Sequence, residues 1–212
     1  VRQGASATFY PAPVGTLPAY DDDTRPRGNL LFRSDLEDFI VVVDGELSAV
    51  LAPGSDGALP VAVGRQTAEV NGIAVGDEFD LYPFWDEGAT PLPLVVTAII
   101  DANDLEERYW GGDENALDAQ SRSWETVFFH LPESTYFGVL TERFPDLVTD
   151  YDSIFEVNLE ALDARNAITI ASGLSRLPTV IAETEERTRS VTELTQVLRS
   201  FDEKLFFTRI PL

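Results

Sequence analysis

The sequence predicts an α+β chain, a mostly antiparallel β core followed by a long C-terminal helical arm. Between residues 39 and 131, short apolar or alternating runs recur, most of them bounded by Gly, Pro or Asp, as strands are. From residue 163 onward the period changes, and apolar residues return at steps of three and four along one helical face. With 212 residues, 44% of them hydrophobic and 13 of them Phe, the chain has enough apolar material to bury a core.

Three regions follow in order. Residues 1–29 hold Pro11, Pro13, Pro18 and Pro26 and the acidic run Asp21-Asp22-Asp23, so they read as an irregular lead-in with one short edge strand near Phe9-Tyr10. Residues 30–131 form the β-rich subdomain. "FIVVV" at 39–43 runs into the turn signal Asp44-Gly45, and "LPVAV" at 59–63 precedes one helical turn in "RQTAEV" at 65–70. In "EFDLY" at 78–82, Phe79 and Leu81 share one face while Asp80 and Tyr82 share the other, the signature of a half-buried strand. "LPLVVTAII" at 92–100 and "TVFFHL" at 126–131 complete the strands.

Residues 132–212 form the helical subdomain. "STYFGVLTERF" is its first helix, ended by Pro145. Ile170, Leu174, Leu177, Ile181, Val191, Leu194, Leu198, Phe201 and Leu205 then hold one phase, with Thr184 and Thr188 in the middle. A continuous helix over 168–205 would span about 55 Å. Pro178 offers a kink, and Ser190 with Glu193 a capping box, so a break near residue 190 is the alternative.

Composition excludes several functions. Asp and Glu outnumber Lys and Arg 37 to 15, a formal charge of −22, which repels nucleic acid and anionic lipid. With no Cys there are no disulfides, thiolate metal sites or cysteine nucleophiles. The chain has no Met, and it starts "VRQGASATFY" with neither an initiator nor an apolar leader, so a fragment or processed product is expected. No run reaches the roughly 18 apolar residues of a membrane span.

Chemistry finds little support. His130, the single histidine, lies in "VFFHLP", where a strand-edge residue with a local hydrogen bond is expected rather than a catalyst or zinc ligand. No G-x-S-x-G elbow occurs. "APGSDG" and "NGIAVGD" match neither phosphate-loop pattern, and the one lysine, Lys204, is remote in sequence from both. The expectation is therefore no catalytic residue, no structural metal and no cofactor. Weak calcium binding at Asp21–Asp23 or at Asp113-Glu114 is the open exception. "YWGGDEN" at 109–115 has two readings. Tyr109, Trp110, Asp113 and Glu114 form a recognition loop that stacks a ring, or Tyr109 and Trp110 plug the end of the β core. In "NGIAVGDEFDLY", Gly76 supplies a backbone turn that a side chain would obstruct and Asp77 caps it.

Taken together, the turn at 65–70, "NGIAVGDEFDL" and the strand pair ending in "LVVTAIIDANDLEERYWGG" resemble the extracytoplasmic domain of ABC-transporter permeases of the MacB/FtsX-like family. Ile73, Val75, Gly76, Asp77, Phe79 and Leu81 match the family step "lGl-x-vGD-x-l-x-l". Val95, Val96, Ala98 and Ile99 match the strand after it, with Ala98 where the family usually has Gly. "LRSFDEKLFFTRIPL" at the C-terminus is similar to the segment preceding the second membrane span. The resemblance covers residues 60–110 and 165–212.

It implies a non-catalytic domain on the extracytoplasmic side of a cell membrane protein, with a membrane-proximal lead-in and a C-terminal arm returning toward the bilayer. Mechanotransmission would couple cytoplasmic ATP hydrolysis to substrate or partner handling outside. The implied partners are an ATP-binding subunit or domain, a second permease copy, and an extracytoplasmic protein or lipid, but no nucleic acid. The alternative is a secreted or surface-anchored binding module.

Overall fold

A computed structural model describes residues 2–18, 26–48, 57–86, 88–111, 117–118, 126–155, 158, 166–184, 194 and 198. The chain divides into two compact units, Val1–Phe155 and Glu156–Leu212.

The first unit is a closed barrel. Its strands are β1 (Arg2–Pro13), β2 (Arg27–Arg33), β3 (Ile40–Gly45), β4 (Leu59–Gly64), β5 (Glu78–Pro83), β6 (Leu92–Ala102), β7 (Thr126–His130) and β8 (Asp150–Ile154). Helix α1 (Arg65–Asn71) follows β4, and a helical run at 133–143, here α2, follows β7. The ring order is β2-β7-β4-β6-β5-β1, and β1 pairs with β2 to close it. The two longest strands each share one edge between a ring neighbour and an added strand. β1 gives Phe9–Pro13 to β5 and Arg2–Ser6 to β8. β6 gives Leu92–Val95 to β5 and Ala98–Ala102 to β3.

Period-two alternation sends one set of side chains into the ring. Ala5, Ala7, Phe9, Leu30, Phe32, Val61, Val63, Leu81, Leu94, Val96 and Phe129 belong to one buried cluster. Fully burying a Phe or Leu there contributes about 2 kcal/mol each. Residues of the opposite face, Ala62, Ala98 and Ile100, belong to a second cluster with Ile40, Tyr109, Trp110 and Leu117. Tyr109, Trp110 and Leu117 therefore lie over the outside of the barrel as a cover segment.

Three expectations are corrected. The core is a closed, mixed barrel rather than a mostly antiparallel sheet, because β4–β6 and β2–β7 are parallel. Alternation reports which face is buried, and both kinds of pair satisfy it. Residues 2–13, read as part of an irregular lead-in, form the strand that closes the ring. Their inward residues are mostly alanines, weak as a hydrophobic signal but able to fit a tight interior.

The long C-terminal helical arm is the third. In the second unit, α3 (Ala167–Thr184) carries Pro178 within it, and Leu198 is buried against Ala167 and Ala171. Along one straight helix, residues 171 and 198 would stand about 40 Å apart. The chain must fold back, so Leu194 and Leu198 continue the apolar phase by packing on the start of α3 rather than by extending it. The segment at 206–212, read as returning to a membrane, lies outside the described residues. No helix among the described residues is long and apolar enough to cross a membrane.

Candidate functional site

At the Gly-Asp step, α1 ends at Gly72, which takes φ 67°, and the chain turns through Ile73–Asp77 onto β5. Gly76 has φ 95°. An added Cβ at Gly76 would meet nothing within 4 Å, so the demand for glycine here lies in the backbone dihedral alone. Asp77 Oδ2 accepts from the Ala74 N–H at 2.8 Å, and the Asp77 N–H donates to the Ala74 carbonyl at 3.1 Å. Gly76 N–H donates to the Val96 carbonyl at 2.8 Å and Val96 N–H to the Asp77 carbonyl at 2.9 Å, which ties the turn to β6. The polar groups of this turn are engaged with its own backbone and its neighbour strand.

His130 ends β7 on the outer face, in register with Ala62 of β4 and Leu31 of β2. It is 1% exposed. Its Nε2 lies 3.1 Å from the Leu117 carbonyl, so that nitrogen carries the proton and donates. Nδ1 is buried with no partner among the described residues. Burial lowers the imidazole pKa to about 4; the bond to Leu117 opposes this and the charge of Arg33 adds to it. The ring is therefore neutral at pH 7, and its visible task is to hold the cover segment.

The residue after Leu117 completes that bracket. Asp118 Oδ1 accepts from the Thr67 N–H at 2.8 Å and from Thr67 Oγ1 at 2.7 Å, capping the first turn of α1 from a distant segment. Gly64 makes room for it. A Cβ there would collide with Asp118 Oδ1 and come within 2.7 Å of the Leu117 carbonyl. Neither Gly64 nor Asp118 carries a sequence signal, because each matters only through the other.

Tyr109 and Trp110 are both buried in the outer cluster. Tyr109 stacks on Phe39 with ring centroids 3.9 Å apart, and Trp110 meets it edge-on at 4.8 Å. The Tyr109 hydroxyl donates to the Ser34 carbonyl at 2.9 Å, and burial pushes its pKa up to about 12 against the pull of Arg33 and Arg2. Most of both rings is thus committed to packing. Asp113, Glu114 and Asp21–Asp23 lie outside the described residues. Among the described residues no three His, Asp or Glu side chains converge as metal ligands would.

Sequence reasoning missed the end of β2. Arg33 and Ser34 lie where a 250 Å³ recess, walled by Arg2, Arg33, Tyr109, Trp110 and Asp152, meets a wider groove along Pro132–Ser134 that Asp35 also lines. Ser34 is fixed by its N–H to the Gln3 carbonyl at 2.9 Å and by the Gln3 N–H to its Oγ at 3.0 Å. Asp35 takes φ 59°, a left-handed conformation that Asp tolerates better than most residues. The Arg2 guanidinium lies 5.3 Å from the centroid of the Tyr109 ring. In a chain of net charge −22, two arginines meeting at one recess stand out.

No family model and no curated protein matches the sequence. Among solved structures, the chain is similar to the periplasmic region of MacB from Actinobacillus actinomycetemcomitans, with a TM-score of 0.36 and 11% identity, covering 89% of this chain and 77% of that one.

Proposed function

We propose that this chain is a non-catalytic extracytoplasmic domain of an ABC-transporter permease of the MacB/FtsX-like type, coupling cytoplasmic ATP hydrolysis to the handling of a substrate or partner outside the membrane. One observation carries the reading. The residues shared with the family step form one continuous helix–turn–strand–strand unit, α1 through β6. Within it Leu81, Val96 and Ala98 are fully buried, Ile73 and Phe79 pack on the barrel core, and Gly76 and Asp77 make the turn between. A closed barrel also suits the role mechanically, since it has no seam to open and passes displacement from one side to another as a body.

Topology labelling tests this. The chain itself has no cysteine, so Val14→Cys, at a position 54% exposed, is made in the full-length protein with any cysteine outside this chain first replaced by Ser. A membrane-impermeant maleimide should label it in intact spheroplasts, and an ATP-binding partner should copurify. Labelling only after lysis would reject the reading. The second reading, a secreted or surface-anchored binding module, is favoured by the arginine-lined recess. It predicts the same labelling but no copurifying ATPase.

A further inference from the structure

We propose that the recess beside β2 binds a small free α-amino acid, with its carboxylate at Arg33 and its ammonium group at Asp152. Gly4 of β1 is in register with Arg33 on one side and with Asp152 on the other. Cross-strand partners point to the same face, so the two charges flank a residue that has no side chain. At two strand spacings their Cα atoms stand about 10 Å apart. The Asp152 carboxylate lies over the place where a Gly4 Cβ would be, leaning across the gap. Among the described residues, no side-chain hydrogen bond or ion pair engages either Arg33 or Asp152. Opposite charges held on one row, with no side chain of Gly4 between them, match the two ends of a zwitterion.

The walls agree with that ligand class. Arg2 adds a second guanidinium, and Trp110 and Ile154 supply apolar surface. Trp110 Nε1 is a buried donor with no partner among the described residues. A volume of 250 Å³ is roughly eight waters' share of liquid, below the common range for larger ligands and suited to an amino acid. Long-range charge favours the same choice. A surface of net charge −22 repels phosphate and dicarboxylates on approach, whereas a neutral zwitterion meets no such barrier and feels the local charges only on arrival. This site stands on the geometry of the barrel alone and does not depend on the transporter reading.

The test is calorimetric titration of the folded chain with each common L-amino acid, and with acetate, ethylammonium and inorganic phosphate as single-function probes, each up to about 10 mM. At least one amino acid should bind, and acetate and ethylammonium should each bind at least about tenfold more weakly. Arg33→Gln and Asp152→Asn should each weaken binding by about tenfold or more, with circular dichroism unchanged. Asp152 is exposed on an added strand, so its variant retains the fold even if the Arg33 variant does not. No heat with any amino acid, affinity indifferent to both substitutions, or phosphate binding tighter than every amino acid would each overturn the proposal.

Discussion

Replacing His130 by Gln should remove one specific component of the pH dependence of stability. The folded-state pKa is about 4 against the ordinary histidine value of 6.5, a lowering caused first by burial. Between those two values the unfolded chain binds a proton that the folded chain excludes, so stability is full above pH 6.5 and falls as the solution is acidified. The whole interval corresponds to about 3 kcal/mol, and about 2 kcal/mol of it is lost by about pH 5. Any other group that changes charge over this range does so in wild type and variant alike. The informative quantity is therefore the difference between wild type and variant. Glutamine keeps a donor able to reach the Leu117 carbonyl but cannot titrate. Urea unfolding at about pH 7.5 and about pH 5 should show wild type losing about 2 kcal/mol more than His130→Gln. Parallel losses in the two proteins would refute the assignment of a buried, neutral imidazole.

Two glycines separate two kinds of constraint. Gly64→Ala should cost about 2–4 kcal/mol, since the new methyl displaces Asp118 from its cap on Thr67 and presses on the Leu117 carbonyl. Combined with Asp118→Ala, the loss should fall well short of the sum in urea melts, because both changes break the same contact. Gly76→Ala, at φ 95° in open space, should cost only about 1–2 kcal/mol of backbone strain and leave amino-acid binding at the recess unchanged. A melting temperature indifferent to Gly76→Ala would reject the strain argument.

What can be read along the chain is whatever depends on near neighbours. Strands at 40–45, 59–64, 78–83, 92–102 and 126–130 fall on the alternating or apolar runs, and α1 falls on "RQTAEV", because burial of one face is written into the local period. Gly76 and Asp77 are legible for a similar reason: a turn of positive φ and its cap are made by residues three apart. His130 could be placed on a strand edge but not paired with Leu117, which lies 13 residues away and meets it only in the folded barrel.

Tertiary structure decided the rest, and in each case through residues far apart in the chain. A period of two tells which side of a strand is buried but not which strand lies beside it, so parallel pairs and ring closure through β1 leave no local mark. A period of three or four is the same whether a helix continues or folds back on itself, and it is the contact of Leu198 with Ala167 and Ala171 that distinguishes them. The recess has the same origin. Arg33 and Asp152 are separated by most of a domain in sequence, and they face each other only because both register on Gly4, a residue whose contribution is the side chain it lacks.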